Sequence, residues 1–337
     1  MALMRVNPNP GDASIRTMRS VASRISTLRK VAWACAAVVL VIVSLSAFIR
    51  LSRAGLGCEP WPECYAQHAS AVVPSAVEKP DGPVTAARLA HRIVAVAALL
   101  LIIWMVMTAF ASNPVMRREG RMALALLALA LFLAILGRWT SDARLPAVML
   151  GNLLGGFAMF AVSWRLARSA GRPPDAASHD RLARWARIGA ALLVMQIVLG
   201  GLVSAGHAGL SCPRLPACDT TAGSWVYLNP LHEMTVAATD PTNPAGSLVH
   251  YLHRAGTLVV AAVLLPLGVA AWRRGRRAGG AVVVLLALQA ALGALLVITH
   301  LALPVALAHN MAAAVLLVAV LALAHPRERR PAINQPD

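Results

Sequence analysis

The sequence predicts an all-α integral membrane protein in which eight transmembrane helices form two tandem four-helix-bundle repeats. The first observation is composition: the 337 residues are 58% hydrophobic and 13% charged, and the mean hydropathy is +0.66. A soluble domain of this length cannot bury so much apolar surface. The second is an internal repeat, AGLGCEPWPEC from Ala54 and AGLSCPRLPAC from Ala208. Each copy follows a long apolar run and precedes a second run that opens with His-Arg, which indicates two related halves.

Eight runs of mostly apolar residues are predicted to be the helices, because each has the roughly 17 to 25 residues that span a bilayer. Lipid offers the backbone no hydrogen-bond partner, so each run must be helical. The predicted spans cover residues 31–49, 87–110, 122–139, 146–164, 185–205, 248–272, 281–299 and 304–324. The first span also has the length of a signal sequence, but no small-residue cleavage site follows it. We therefore expect it to be a retained helix.

The spans divide the chain into five parts. The two halves are predicted at 31–168 and 185–325, with a linker at 169–184 between them and tails at 1–30 and 326–337. The polar, proline-containing start of the first tail is typical of a flexible segment.

The net charge of +17 is unevenly placed along the chain. Most of the 31 Lys and Arg residues lie in the two tails, in the linker and in the alternate loops near Arg117 and Arg274. We expect the protein to lie in a bacterial inner membrane. By the positive-inside rule, both termini should then lie in the cytoplasm and the cysteine loops in the periplasm. The arginines are dispersed among loops and form no basic domain, so we expect membrane lipid but no nucleic acid as a partner.

Four of the five cysteines form two C-x5-C pairs in the outer loops, where disulfides persist. The prolines inside each pair favour a tight turn. We predict two intraloop disulfides, Cys58 with Cys64 and Cys212 with Cys218. A four-cysteine zinc site would require shorter spacing, and the pairs can be either structural or redox-active. Cys35 is expected to be a small buried apolar residue.

Histidines within the spans are the predicted chemical groups, because ionisable residues inside a bilayer usually mark a functional site. A single such residue can also be a packed core histidine. The even-numbered spans enter from the same side, so His91, His253 and His309 lie at similar depths. Two imidazoles from two helices suit the axial positions of a haem iron, whereas zinc or copper ordinarily requires three or four donors. We predict His253 and His309 as such a pair.

The first half lacks a complete pair. His91 matches His253, but the position of His309 is taken by Gly151 or Asn152, depending on the gap. A haem bound there would have one protein ligand and an open position, which is associated with reactivity. Arg92 and Arg254 follow the matched histidines and are predicted partners of haem propionates, or side chains that extend to the interface.

Glycines inside the spans indicate a function less strongly than the histidines do. We expect them to permit close packing of helices. They are Gly155, Gly156, Gly200, Gly201 and Gly293.

These motifs resemble the haem A synthase family of cytochrome oxidase assembly proteins. The resemblance covers nearly the whole chain after residue 30. It rests on RLSRAGLGCEPWPECY from Arg50, the His91-Arg92 step, LGRWT from Leu136, LLGGF from Leu153, QIVLGGLVSAGHAGLSCPRLPAC from Gln196, HYLHR from His250 and LPVALAHN from Leu303.

The resemblance implies a haem-dependent oxidoreductase with two haem sites. Haem b is expected between His253 and His309 as the cofactor. His91 is expected to be the catalytic residue that binds the substrate, haem O, while a ring methyl is oxidised to a formyl group. The resemblance also implies that Cys58 and Cys64 take part in electron delivery. A haem O synthase is the expected source of haem O. The resemblance does not identify the electron donor, and it allows for a homo-oligomer.

Two residues depart from the family pattern in the first half. Family members usually carry Glu where this chain has Arg88, and His where it has Asn152. A carboxylate replaced by a cation changes the local charge by two units in a region of low dielectric constant. The alternative hypothesis is therefore a non-catalytic haem-binding paralogue that acts in haem delivery or oxidase assembly. A transporter is disfavoured because the spans carry paired histidines and no pathway of carboxylates.

Overall fold

The computed structural model describes residues 10–51, 82–111, 113–139, 145–172, 180–220, 224–232 and 243–325. These residues form eight long helices, two short 3₁₀ helices (Ser224–Leu228 and Pro244–Gly246) and no strand. The long helices are α1 Pro10–Leu51, α2 Gly82–Phe110, α3 Arg117–Trp139, α4 Pro146–Ser169, α5 Arg181–Ala205, α6 Ser247–Arg273, α7 Arg277–Ile298 and α8 Leu303–Leu323.

All eight helices are long and apolar enough to cross a membrane, which confirms the predicted fold class. Their exposed surfaces are apolar, as lipid contact requires. On α2, for example, Leu89, Ile93, Val96 and Leu100 follow one another at helical spacing, and each is about 60% exposed. In water such a stripe would be an aggregation site. In a bilayer it is the surface in contact with lipid.

Helix α1 begins well before the predicted span. The prediction placed residues 1–30 in a tail, whereas the helix runs without interruption from Pro10. Apolar residues at helical spacing give this segment a packed face, because Leu28 is fully buried and Ile25 lies against Gly171. Hydropathy alone could not detect this extension, since its other face is charged.

Helices α1 to α4 form one closed group and α5 to α8 form another. In the first group α1 packs on α2 and α4, and α3 packs on the same two helices. In the second, α6 packs on α5 and α7, and α8 packs on the same two helices. The groups meet through α4 with α5 and α1 with α8. One apolar core, which includes Phe157, Leu193 and Leu316, continues across this boundary. An internal duplication of the chain stays a prediction.

Two arginines donate to carbonyl groups at the C-terminus of a neighbouring helix or just beyond it, where a helix leaves carbonyls unpaired. Arg24 donates to the carbonyl oxygens of Thr108 (3.0 Å) and Pro114 (3.1 Å), at the end of α2. Arg276 donates to the carbonyl oxygens of Leu323 (3.1 Å) and His325 (2.7 Å), at the end of α8. Basic residues that predict the topology therefore also bind carbonyl groups near the C-termini of helices.

The backbones of α6 and α7 approach closely near the turn that joins them. A Cβ atom added to Gly279 would overlap the backbone nitrogen of Trp272 and the carbonyl oxygen of Gly268. A backbone atom cannot rotate away as a flexible side chain can. Gly280, the next residue, faces only the indole of Trp272 at 3.8 Å.

We therefore predict that Gly279→Ala destabilises the protein, by about 1 to 3 kcal/mol, because the added methyl group must separate two backbones. Thermal unfolding of the detergent-solubilised protein measures the effect. Gly280→Ala is the matched control and should unfold near the wild-type temperature. Equal midpoints for the two variants would contradict this packing.

Candidate functional site

A cavity of about 640 Å³ lies among the helices of the second group. Leu215 and Pro216, from the loop that follows α5, also line it, so it is adjacent to the Cys212 loop. Most of its wall is apolar. Its main polar side chains are Arg50, Gln196, His207, His250, His253, Arg254, Thr257, Gln289, His309 and Asn310.

His253, on α6, is held by a glutamine of the preceding helix. The Gln196 Nε2 atom lies 3.1 Å from Nδ1 of His253, and it also donates to the His253 carbonyl oxygen (2.7 Å) and to Thr257 Oγ1 (2.9 Å). Gly200 lies one turn after this glutamine. A Cβ atom at Gly200 would be 2.9 Å from Cε1 of the imidazole, so only glycine leaves room for the ring.

His309, on α8, has the same kind of environment. The Gln289 Nε2 atom, on α7, lies 3.0 Å from Nε2 of His309. A Cβ atom at Gly293 would lie 3.3 Å from Cε1 of the ring. Nδ1 of His309 is buried and has no hydrogen-bond partner among the residues that the structure describes. Each imidazole is thus flanked by a glutamine and a glycine four residues apart.

His253 and His309 therefore line one cavity, and their pairing as haem ligands stays a prediction. The glutamines were missed, although QIVLG from Gln196 and QAALG from Gln289 are a visible repeat. The expectation that glycines permit helix packing holds for Gly201, which faces Leu150. Gly200 and Gly293 instead make room for functional side chains.

Arg254 joins the cavity to the cysteine loop. Its Nη1 donates to the carbonyl oxygens of Arg214 (2.8 Å) and Ala217 (3.4 Å), and its Nη2 donates to that of Cys212. Its Nε donates to Nε2 of His250 at 3.1 Å. The predicted role beside a propionate gains no direct support from these contacts, because loop carbonyls already engage both terminal nitrogens.

Cys212 and Cys218 form the predicted disulfide, with their Cα atoms 4.7 Å apart. The other predicted disulfide, Cys58 with Cys64, lies outside the described residues. Cys35 is buried, as expected, and its Sγ lies 3.6 Å from Ser163 Oγ.

His207 lies just beyond α5 at the wall of the cavity. Burial lowers the pKa of its imidazole, so we expect a neutral side chain at pH 7. It adds no positive charge to the cavity.

The first-half residues lie elsewhere. His91 is half-buried and Arg92 is exposed on α2, and neither lines this cavity. Aligning the Leu-Pro steps at Leu145 and Leu303 places Gly151 opposite His309. Gly151 faces the side chain of Leu136, so a leucine fills the space that a second imidazole would require.

We predict that Arg254→Gln makes the Cys212–Cys218 disulfide easier to reduce, because the loop loses three hydrogen bonds to a charged donor. The rate of maleimide labelling under a mild dithiol reductant should rise severalfold. Arg214→Gln is the control, since only the carbonyl of Arg214 takes part. Equal rates for wild type and Arg254→Gln would refute the anchoring role.

Known proteins are similar to this chain in sequence over most of its length. The profile of a family described as "Cytochrome oxidase assembly protein" matches residues 29–321. The chain is 29% identical over 320 aligned positions to a Heme A synthase of Shewanella oneidensis, covering 84% of this chain and 92% of that protein. It is 26% identical over 372 aligned positions to a Heme A synthase of Sphingopyxis alaskensis, covering 94% and 96% of the two chains.

The matched region contains all eight helices in part or in full, together with both His-Arg steps and His309. The low identities make the chain a divergent relative. The protein is an integral membrane protein that belongs to the haem A synthase family of cytochrome oxidase assembly proteins.

Proposed function

We propose that this protein oxidises a ring methyl group of haem O to a formyl group, which produces haem A for cytochrome oxidase. His253 and His309 hold haem b, and His91 binds the substrate haem. The observation that carries this proposal is one cavity that is lined by both His253 of α6 and His309 of α8, in a chain that belongs to this family.

The residues of the cavity fit a haem. Its volume of about 640 Å³ lies within the range of about 300 to 1,000 Å³ that is common for cofactor sites. Nδ1 of His309 and Oε1 of Gln289 are buried without a hydrogen-bond partner among the described residues. Buried polar atoms of this kind usually have a partner. The described residues contain no group of three or more His, Cys, Asp or Glu arranged for a metal ion.

Four of the chain's side chains would hold and orient the haem iron. His253 and His309 supply one nitrogen each, and Gln196 and Gln289 restrict the rotation of the rings through the contacts at 3.1 and 3.0 Å. Such outer partners fix the orientation and basicity of a ligating imidazole. Leu193, Leu286 and Leu316 line the wall, which excludes water and lowers the local dielectric constant. A haem bound here supplies one-electron transfer.

The surroundings of the site follow from the proposed topology. We place the termini in the cytoplasm and the Cys212 loop in the periplasm, because the arginine-rich ends of the helices lie on the side opposite that loop. Haem O then reaches His91 from the outer half of the bilayer, after handover from a haem O synthase. The electron donor acts from the same side if the Cys58 and Cys64 pair takes part.

A second candidate function is haem delivery without catalysis. Arg88 favours it, because a cation stands on α2 one turn before His91, where the family usually has a carboxylate. Its Nε is buried and has no hydrogen-bond partner within the described part of the chain. Gly151 also favours haem delivery, because the side chain of Leu136 occupies the space beside it.

We predict that the purified protein contains a low-spin haem b and that His253→Ala or His309→Ala removes its spectrum, because each change deletes one axial ligand. Visible absorption of the reduced protein measures this. His300→Asn is the control, since His300 is exposed in the turn between α7 and α8. A low-spin spectrum that survives in both alanine variants would disprove the assignment of the ligands.

The proposed activity is tested by identifying the haem that is extracted from cells. We predict that co-expression with a source of haem O yields haem A in an acid-acetone extract, and that His91→Ala abolishes this product by removing the ligand of the substrate. The His91→Ala protein should retain its low-spin haem b. Extracts of wild type that contain unchanged haem O would reject the synthase and favour the delivery protein.

A further inference from the structure

The cavity that helices α5 to α8 surround has a marked excess of positive charge. Among the residues that the structure describes, two guanidinium groups line it, those of Arg50 and Arg254, and no aspartate or glutamate does. A cation in a medium of low dielectric constant is stable only beside an opposite charge or several acceptors. The charge pattern of the wall therefore indicates an anionic ligand.

The two arginines differ in what they bind. Arg254 donates through Nε, Nη1 and Nη2 to protein acceptors of its own half. Arg50, in contrast, has a buried Nε with no hydrogen-bond partner among the residues that the structure describes. An unpaired buried N–H group is costly, and such groups normally meet a partner. Arg50 is the guanidinium with donor capacity left for a ligand.

The position of Arg50 in the fold is also informative. It lies in the last turn of α1, which belongs to the first group of helices, yet it lines the cavity of the second group together with Leu51. Where α5 carries the matching residue of the internal repeat, Ser204 stands in place of the arginine. The cation is therefore specific to the boundary between the two halves.

The chemistry of the ligand follows from the guanidinium. Its planar fork matches a carboxylate through two parallel N–H···O bonds. The proposed occupant of the cavity, haem b, carries two propionate carboxylates on one edge of the porphyrin. We propose that Arg50 binds a propionate of the haem that His253 and His309 hold, so that the first half completes the cofactor site of the second. This inference rests on the proposed function.

The experiment compares haem b with its dimethyl ester, which retains the iron and the ring but lacks the carboxylate charges. Full-length protein in detergent is reconstituted with each, and the rate at which the low-spin haem transfers to apomyoglobin is measured. That signal reports the site with two imidazoles and excludes a haem bound through His91 alone. For wild type we expect the ester to leave about tenfold faster or more, because a charge-assisted pair is lost.

Arg50→Gln should release haem b and its ester at nearly the same rate, since the partner of the carboxylate is gone. Arg24→Gln is the matched control, because Arg24 lies on the same helix but donates to the carbonyls of Thr108 and Pro114. Its ratio of rates should equal that of wild type. If Arg50→Gln keeps the full wild-type ratio, or if wild type itself does not distinguish the two ligands, the proposal is wrong while the haem site stands.

Should Arg50→Gln fail to accumulate, Arg50→Lys replaces it. Lysine keeps the charge but loses the fork, so the ratio should fall by about threefold or more. An unchanged ratio in Arg50→Lys would overturn the proposal. A wild-type protein that takes up no low-spin haem at all would instead reject the proposed function, and the role of Arg50 with it.

Discussion

The structure depends on one constraint: inside the bilayer no water is present to satisfy a polar group, so each one must find its partner in the protein or in a ligand. The eight helices satisfy their backbones internally. Arginines at the helix ends bind the last carbonyl groups. Several of the polar side chains that remain inside, among them His253, Gln289 and His309, line one cavity. Two of these, Gln289 and His309, have a buried atom without a hydrogen-bond partner among the described residues.

The same constraint explains the form of the site. An imidazole inside lipid needs a hydrogen-bonding neighbour and space, and two helices supply both through a glutamine followed four residues later by a glycine. The two arrangements are on different helices, and both imidazoles line the same cavity. A haem iron held there would take one nitrogen from each. The apolar wall then determines how strongly nearby charges act.

The two halves differ in how well the sequence supports a site. The second half has the pair His253 and His309, a disulfide loop and an arginine that fastens the loop to α6. The first half has His91, but Gly151 or Asn152 stands where the second half has His309, and Arg88 replaces the acid that the family usually carries. An open coordination position is what an oxidation of substrate requires, whereas electron transfer prefers two ligands. The asymmetry therefore agrees with the proposal that the first half binds the substrate and the second half transfers electrons.

Hydropathy predicted all eight helices, because the length of an apolar run follows directly from the thickness of a bilayer. It missed the start of α1, where only one face is apolar. The sequence also pointed to His253 and His309, since ionisable residues inside spans are rare; both line one cavity, and their role as haem ligands stays a prediction. Gln196, Gln289 and Arg50 could not be assigned from the sequence, because their roles depend on which helices meet. The repeated glutamine and glycine spacing was the available signal for two of them.

The central claim is that two imidazoles bind one iron. Near-infrared magnetic circular dichroism of the oxidised wild-type protein tests it most directly, because the energy of the charge-transfer band identifies the pair of axial ligands. We expect the band of a low-spin iron with two histidine ligands, carried by His253 and His309. A band typical of methionine ligation, or a purely high-spin spectrum, would contradict the account.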